Sequence, residues 1–299
     1  MKTGAAEKEL ARQLEAHYDA GESAALATIV LEAVTGHDRT KLRLLRDGEL
    51  SEAQVARLGA ITARLLLQEP VQYVLNEAPF AGLRLYVDPA VLIPRPETEE
   101  LVEWVVSDVR ARGIDVFDKG PTDADRTGTL KVLDVGTGSG CIALALKARM
   151  PRAEVWGCDV SDEALNVARR NGSALNIRVD FQGVDFLSDA QQPLLPSVDL
   201  LVSNPPYIPL KDRATMHGNV LQWEPHTALF VPDNNALLFY DAIARFCNRR
   251  LHTGGVIFLE IHEELGAAVV DLFRGAGYAN VELRKDMQGK DRMLRVSRT

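Results

Sequence analysis

Sulfur and positive charge are both scarce in this sequence. Its three cysteines, Cys141, Cys158 and Cys247, form no CxxC pair and cannot all pair within one chain. Each sits among apolar neighbours, so reduced, buried thiols in a cytosolic compartment are expected, with no disulfide framework and no metal site. Lys and Arg number 34 against 42 Asp and Glu, a net charge of −8. That balance argues against gripping long nucleic acid through its phosphates, although one basic face is still allowed. No run approaches the ~18 apolar residues that a membrane helix requires. The first ten residues, Met-Lys-Thr-Gly-Ala-Ala-Glu-Lys-Glu-Leu, lack the apolar core of a signal peptide. A soluble cytoplasmic protein without a membrane partner is expected, monomeric by default.

At 299 residues the chain can form two domains, or one large domain with an appendage. Residues 4–67 read as helical throughout. Ala11, Leu14, His17 and Tyr18 recur at helical intervals, as do Leu26, Ile29, Val30 and Val34. Gly36 is the expected C-cap of that second segment, and Ser51 with Gln54 the capping box of the next helix. A bundle of four or five helices results, with nothing catalytic in it. Pro70 should break the helix. The alternation from Tyr73 to Leu92 around Gly82 then suggests a β-hairpin linker. Leu92-Ile-Pro-Arg-Pro-Glu-Thr-Glu-Glu-Leu-Val102 reads as a stiff entry to a helix with acids in its first turn. Arg95, held between two prolines, suits orienting a carboxylate. Residues 113–129 read as an exposed loop.

Beyond that loop the text alternates strand and helix. Leu130–Val135 is a strand, Gly136-Thr137-Gly138-Ser139-Gly140 a glycine loop, and Cys141–Lys147 the start of a helix. Glycines at this spacing let the backbone turn sharply and approach a ligand closely. A second strand, Ala153–Asp159, ends in an acid placed to accept both hydroxyls of a ribose. Strand, loop, helix, strand and terminal Asp in that order point to an adenosine-containing ligand. A helix at Ser161–Asn171 and a strand near Ile177–Phe181 follow. Asp185 and Phe186 come next, suited to an adenine's exocyclic amine and ring face; a loop aspartate and a core phenylalanine is the equal alternative.

The stretch Val198-Asp-Leu-Leu-Val-Ser-Asn-Pro-Pro-Tyr-Ile208 organises the rest. Val198–Val202 read as a buried strand. It stops at Asn204, because Pro205 and Pro206 cannot donate to a ladder, and a residue before proline is held extended. An amide and a rigid run of carbonyls are thus fixed at a strand's C-terminal end, the edge where open α/β sheets bind ligands, with Tyr207 beside them. Residues 209–234 read as a long loop. A helix (235–249), a strand (255–260), a helix (263–275) and a hairpin across 279–297 complete the chain, with Asp286–Lys290 as the final turn.

Seven strands, a GxGxG first loop and a closing hairpin resemble the class I S-adenosylmethionine-dependent methyltransferases. The resemblance implies a Rossmann-like α/β fold, a seven-stranded mixed sheet with an antiparallel last strand. Asn204-Pro-Pro-Tyr207 resembles the motif of enzymes that methylate an amino group conjugated to a π system: adenine N6, cytosine N4 or a glutamine side-chain amide. With Gln68-Glu-Pro-Val-Gln-Tyr73, the 92–102 stretch and the helical N-terminus, the chain is similar to the peptide chain release factor glutamine methyltransferases. Their substrate is the glutamine of the factor's Gly-Gly-Gln loop. The resemblance spans nearly the whole chain. It departs at Asn76, where Gly is expected, at His262, where Glu-Ile-Gly is usual, and at Phe186, where some members carry Trp.

By that resemblance Gly136–Gly140 line the methionine portion of the cofactor, Asp159 the ribose, and Asp185 and Phe186 the adenine. Asn204, Pro205 and Tyr207 become catalytic, and Pro206 joins them around the substrate. Asn204 touches both ligands, and Arg95, Glu97 and Thr98 neighbour the methionine end. Residues 1–69 are then a substrate-docking domain, 70–95 a linker and 96–299 the catalytic domain. Direct nucleic-acid binding is not expected. Two rivals stand: a DNA or RNA amino-methyltransferase that flips a base into the slot, and a silent cofactor-binding module used for docking. The acidic balance opposes the first and the intact tetrapeptide the second.

Overall fold

The computed structural model describes residues 1–117, 129–216 and 218–298, so most of the loop expected at 113–129 lies outside the described residues. The chain divides into two compact units. One is Met1–Glu77 with the helix Gly218–Trp223; the other is Ala78–Met216 with Glu224–Thr299. Among the described residues no helix is long and apolar enough to cross a membrane.

The first unit is helical: α1 (Thr3–Leu14), α2 (Ala20–Thr35), α3 (Arg39–Leu44), α4 (Glu52–Leu65) and α5 (Val71–Leu75). Its helix starts are written in local chemistry. Asp19 and Asp38 each accept a backbone N–H three residues on, both at 2.8 Å. The Ser51–Gln54 box closes in both directions, at 3.3 and 2.9 Å. Gly36 ends α2 in the left-handed region at φ 70°. Leu10, Leu14, Leu31, Ile61 and Leu65 form the unit's dry centre.

The hairpin is shorter than the alternation suggests. Val71–Leu75 is a helical turn, because Pro70 stands at its start, where a missing N–H costs nothing, and the Pro70 carbonyl accepts from Tyr73 and Val74. Asn76 closes that turn at φ 53°. Asn tolerates this region better than most side chains, which accounts for its standing where Gly is expected. Only β1 (Ala78–Phe80) and β2 (Leu83–Leu85) pair.

The rest of the second unit runs α6 (Pro96–Ala111), β3 (Lys131–Val135), α7 (Cys141–Arg149), β4 (Glu154–Asp159), α8 (Asp162–Leu175), β5 (Asp180–Gly183) and β6 (Val198–Ser203). After β7 (Ile208–Pro209) the chain gives α9 (Gly218–Trp223) to the first unit. The second unit then resumes with β8 (Phe230–Val231), α10 (Leu238–Arg250), β9 (Leu251–Glu260), α11 (Gly266–Gly275), β10 (Asn280–Lys285) and β11 (Asp291–Ser297). Two elements differ from expectation. β5 starts late, since Asn176 turns left-handed and Ile177 donates back to Gly172, prolonging the end of α8. The loop expected at 209–234 is broken into short pieces, with β7 and β8 paired in parallel.

Seven strands form one sheet in the order β10-β11-β9-β6-β3-β4-β5, with β11 antiparallel to both its neighbours. Alternate residues of each central strand serve opposite cores. Val132, Leu200, Val202 and Phe258 pack toward α6 and α7. Leu133, Leu201, Ile257 and Leu259 pack toward α10 and α11. The apolar runs of these strands follow from burial on both faces.

One glycine sets how closely the loop after β3 approaches β4. A Cβ at Gly157 would meet Thr137 Oγ1 at 2.7 Å and Phe181 ring carbons at 2.8 and 2.9 Å. Gly157→Ala should therefore lower stability by about 1–3 kcal/mol, the usual cost of overpacking. Urea unfolding at neutral pH checks this, and an unchanged midpoint would show that strand and loop do not make this contact.

Candidate functional site

The sheet changes direction at β3, which has β4 on one side and β6 on the other, so the carboxyl ends of β3 and β6 open a crevice. Val135 and Ser203 are direct partners there, and Ser203 Oγ donates to the Val135 carbonyl at 2.7 Å. A cleft of about 870 Å³ including its mouth lies over this point, within the range of small-molecule sites. Gly136, Gly138, Asp159, Asp185, Phe186, Asn204, Pro205 and Pro206 all line it. Thus residues spread over 70 positions of sequence meet in one cavity.

The glycine loop divides its labour by alternation. Gly136, Gly138 and Gly140 adopt φ of 70°, 54° and 80°, the region that favours glycine. A Cβ at Gly136 or Gly138 would meet nothing within 4 Å. Gly140 is different: its Cβ would press on Phe181, Ala168 and Leu144 at 3.1–3.2 Å. The intervening residues turn inward. Thr137 Oγ1 donates to Asp134 Oδ2 at 2.7 Å, and the buried Ser139 accepts from Asn171 through its carbonyl at 2.9 Å. Gly136 and Gly138 line the cleft, whereas Thr137, Ser139 and Gly140 support it from behind.

Asp159 holds this loop and borders the cleft together. Gly138 N–H donates to its Oδ2 at 2.9 Å and Ser161 N–H to its Oδ1 at 3.0 Å. A carboxylate has about four acceptor positions, so capacity is left for a hydroxyl donor. Burial pushes its pKa up, opposed by those N–H groups. Asp185 accepts the Leu187 N–H at 3.0 Å. Phe186 is a core ring, tilted against Phe246 with centroids 5.2 Å apart, and the same side chain closes one wall of the cleft. Its two candidate roles are therefore compatible.

At the other lip, Asn204 is held by a group that sequence reasoning left in second rank. Its Nδ2 donates to Thr98 Oγ1 at 3.0 Å, and Thr98 donates in turn to Glu260 Oε2 at 2.6 Å. Tyr207 does not line the cleft. Its hydroxyl donates to the other oxygen of Glu260 at 3.1 Å, and its ring stands edge-on to His262 at 5.8 Å. Arg95 meets a carboxylate of the chain itself, donating to the buried Glu224 at 2.5 Å, while Ile93 N–H donates to the other Glu224 oxygen at 3.2 Å. Glu97 accepts from Gln288 Nε2 at 3.4 Å.

Glu260 is the residue that the sequence reading missed. A signal existed: it is the single acid at the carboxyl end of an apolar run, Val256-Ile-Phe-Leu259, in a strand beside β6. Burial pushes its carboxyl up to about 7, against the pull of the Thr98 and Tyr207 hydroxyls. Asp134 is in the same state. Full burial raises it to about 7 although Thr137 and the Ala143 N–H donate to it, and its Oδ1 has no hydrogen-bond partner among the described residues.

Comparison with known proteins agrees with this geometry. The family "Methyltransferase small domain" matches residues 122–222 and "PrmC N-terminal domain" residues 5–75. The release factor glutamine methyltransferase of Flavobacterium psychrophilum is 39% identical over 94% of this chain and 93% of its own. That of Bacteroides thetaiotaomicron is 38% identical over 96% and 97%. The chain belongs to the release factor glutamine methyltransferase family. It has the S-adenosylmethionine-dependent methyltransferase fold.

Among solved structures, the hMettl16 catalytic domain in complex with a MAT2A 3'UTR hairpin aligns with a TM-score of 0.54 at 18% identity, covering 83% of each chain. Human methyltransferase 10 domain containing protein gives 0.50 at 19%, covering 73% of this chain and 90% of its own. At such identities the likeness is one of fold. Within this release factor glutamine methyltransferase family member, open space over Gly136 and Gly138 and an acceptor at Asp159 fit a nucleoside-bearing cofactor.

The buried acids make stability depend on pH. The folded pKa of Asp134, about 7, lies above its ordinary 3.8, so the stability of the protonated form is fully present below about pH 4 and is lost as pH rises through about 7. Between about pH 5.5 and about pH 8 the wild type should lose on the order of 2 kcal/mol relative to Asp134→Asn. Denaturant unfolding of both proteins at the two pH values measures this, and a gap that stays constant or grows in the wild type's favour would contradict it.

Proposed function

We propose that this protein methylates the side-chain amide nitrogen of the glutamine in the Gly-Gly-Gln loop of class 1 peptide chain release factors. The observation that carries the reading is Asn204-Pro-Pro at the lip of the cleft, where β3 and β6 part. S-adenosylmethionine supplies an electrophilic methyl on a sulfonium and leaves as S-adenosylhomocysteine. Gly136–Gly140 and Asp159 would hold its methionine and ribose portions, and Asp185 with Phe186 its adenine.

A carboxamide nitrogen is a weak nucleophile because its lone pair is delocalised into the carbonyl. Alignment at about 3–3.5 Å supplies much of what is needed. The remainder comes from acceptors aimed where positive charge develops on nitrogen. In the proposed site, Asn204 Oδ1 and the Pro205 carbonyl take the two N–H groups and so present the nitrogen lone pair to the methyl. As the N–C bond forms and the C–S bond breaks, the nitrogen becomes strongly acidic and gives up one of those two protons along its hydrogen bond to solvent. Pro206 keeps that carbonyl run rigid. Tyr207, tied to Glu260, would border the planar amide while staying a neutral phenol, since burial pushes its pKa up. These steps ask for hydrogen-bond acceptors and no metal.

Residues 1–69 would dock the factor, 70–95 link, and 96–299 carry the chemistry, in a monomeric cytoplasmic enzyme. The net charge of −8 supports a protein substrate over direct nucleic-acid binding.

Transfer of labelled methyl from S-adenosylmethionine to intact release factor, to a Gly-Gly-Gln peptide and to duplex DNA tests the reading. Label should enter the factor, be absent from its Gln→Ala variant, and be weaker on the peptide; label on DNA alone would overturn the substrate. Asn204→Ala should lower kcat by about 10²-fold or more, the scale of losing one preorganised hydrogen-bonding group. Fold and much of the cofactor affinity should survive, as circular dichroism and calorimetry would report. Activity within threefold of wild type would remove Asn204 from the reaction.

A further inference from the structure

Three side chains from three elements converge behind the reacting lip. Thr98 lies in the first turn of α6, Glu260 ends β9, and Asn204 follows β6. Thr98 is 2% exposed and Glu260 1%, so neither can exchange its partners for water. The contacts are Asn204 Nδ2 to Thr98 Oγ1 at 3.0 Å and Thr98 Oγ1 to Glu260 Oε2 at 2.6 Å.

Proton accounting gives this chain a direction. A threonine hydroxyl has one hydrogen and two lone pairs, and a carboxylate only accepts. Tyr207 donates to Glu260 Oε1 and Thr98 Oγ1 to Oε2, so in its ionised form the carboxylate accepts on both oxygens and the Thr98 hydrogen is spent there. Toward Asn204, Thr98 then has only a lone pair. The amide must answer with its NH2, and its Oδ1 is turned to the opposite side. An asparagine amide has two orientations of nearly equal shape. Only the hydrogen-bond partner separates them.

We propose that Thr98, oriented by Glu260, is the positioning residue that fixes the Asn204 amide with its oxygen toward the substrate. The inference rests on the release-factor reading above and deepens it. With the wrong end of the amide presented, an NH2 would face the N–H groups of the glutamine, and donor would meet donor. Thr98 itself touches neither the reacting atoms nor the methyl donor's cleft, whose lining does not include it. Its removal should therefore act on turnover while leaving the binding of either ligand alone.

Thr98→Val keeps the shape and deletes both the donor and the acceptor. In the full-length enzyme with intact release factor, Thr98→Val should lower kcat at least tenfold, with KM for the factor and Kd for S-adenosylmethionine changed less than about threefold. Thr98→Ser, which restores the hydroxyl, should recover kcat to within about threefold of wild type. Should Thr98→Val fail to yield folded protein by circular dichroism, Thr98→Ala carries the same comparison. A valine or alanine variant with wild-type kcat, or a serine variant as impaired as valine, overturns the positioning role. A loss confined to melting temperature assigns Thr98 to packing and equally overturns it. The wild type is the control for the reading beneath: no label on release factor from the wild type would fail that reading, whereas a labelled factor with an unaffected valine variant fails only this inference.

Discussion

The parallel pairing of β3 with β6 is the constraint on which the rest depends. These strands are distant in sequence, and their register, Val135 opposite Ser203, puts the glycine loop and Asn204 at one edge. The Ser203 hydroxyl pins that edge across the strands at 2.7 Å. Neither strand could take this place singly. Each is apolar on both faces and needs helices above and below, which the chain supplies by crossing over after every strand. A slip of one residue would exchange the two cores and turn the ends of both strands away from each other.

Much of this could be read from the sequence because it rests on local chemistry. Gly136-Thr-Gly-Ser-Gly140 declares alternate left-handed positions, and all three glycines adopt them. Asn204 before two prolines declares an extended end to a strand. Ser51 and Gln54 declare a helix start that the structure shows closed in both directions. Topology then carries Gly136, Asp159, Asp185 and Asn204 to one cleft. The helical turn at Val71–Leu75 was hidden for the opposite reason. Five residues are too few for a period, and the alternation running into the hairpin masks them.

The supporting residues were less legible, and the reason is physical. Thr98 and Glu260 lie 162 positions apart, and Arg95 and Glu224 lie 129 apart. No spacing rule relates such pairs, since only the finished sheet brings them into reach. Arg95 shows the effect. Two prolines signal a fixed guanidinium in want of a carboxylate, yet nothing nearby in sequence says that the carboxylate belongs to the chain. Glu260 offered a weak signal, an acid ending an apolar strand, the same one that marks Asp159.

The three buried acids of this region also differ in how their charge is met. Glu224 has a guanidinium at 2.5 Å, so breaking that pair would leave an unmatched charge. Glu260 and Asp134 have hydroxyl and N–H donors as their hydrogen-bond partners, and burial lifts both to about 7. A core built for stability alone would place apolar side chains there. Glu260 is retained at a cost because its two oxygens do what an apolar group cannot, taking one hydroxyl from Thr98 and one from Tyr207. Through them a single carboxylate orients residues at both ends of the Asn204–Tyr207 segment. The expense falls where the proposed reaction needs direction, since the asparagine amide has no shape of its own to tell its oxygen from its nitrogen.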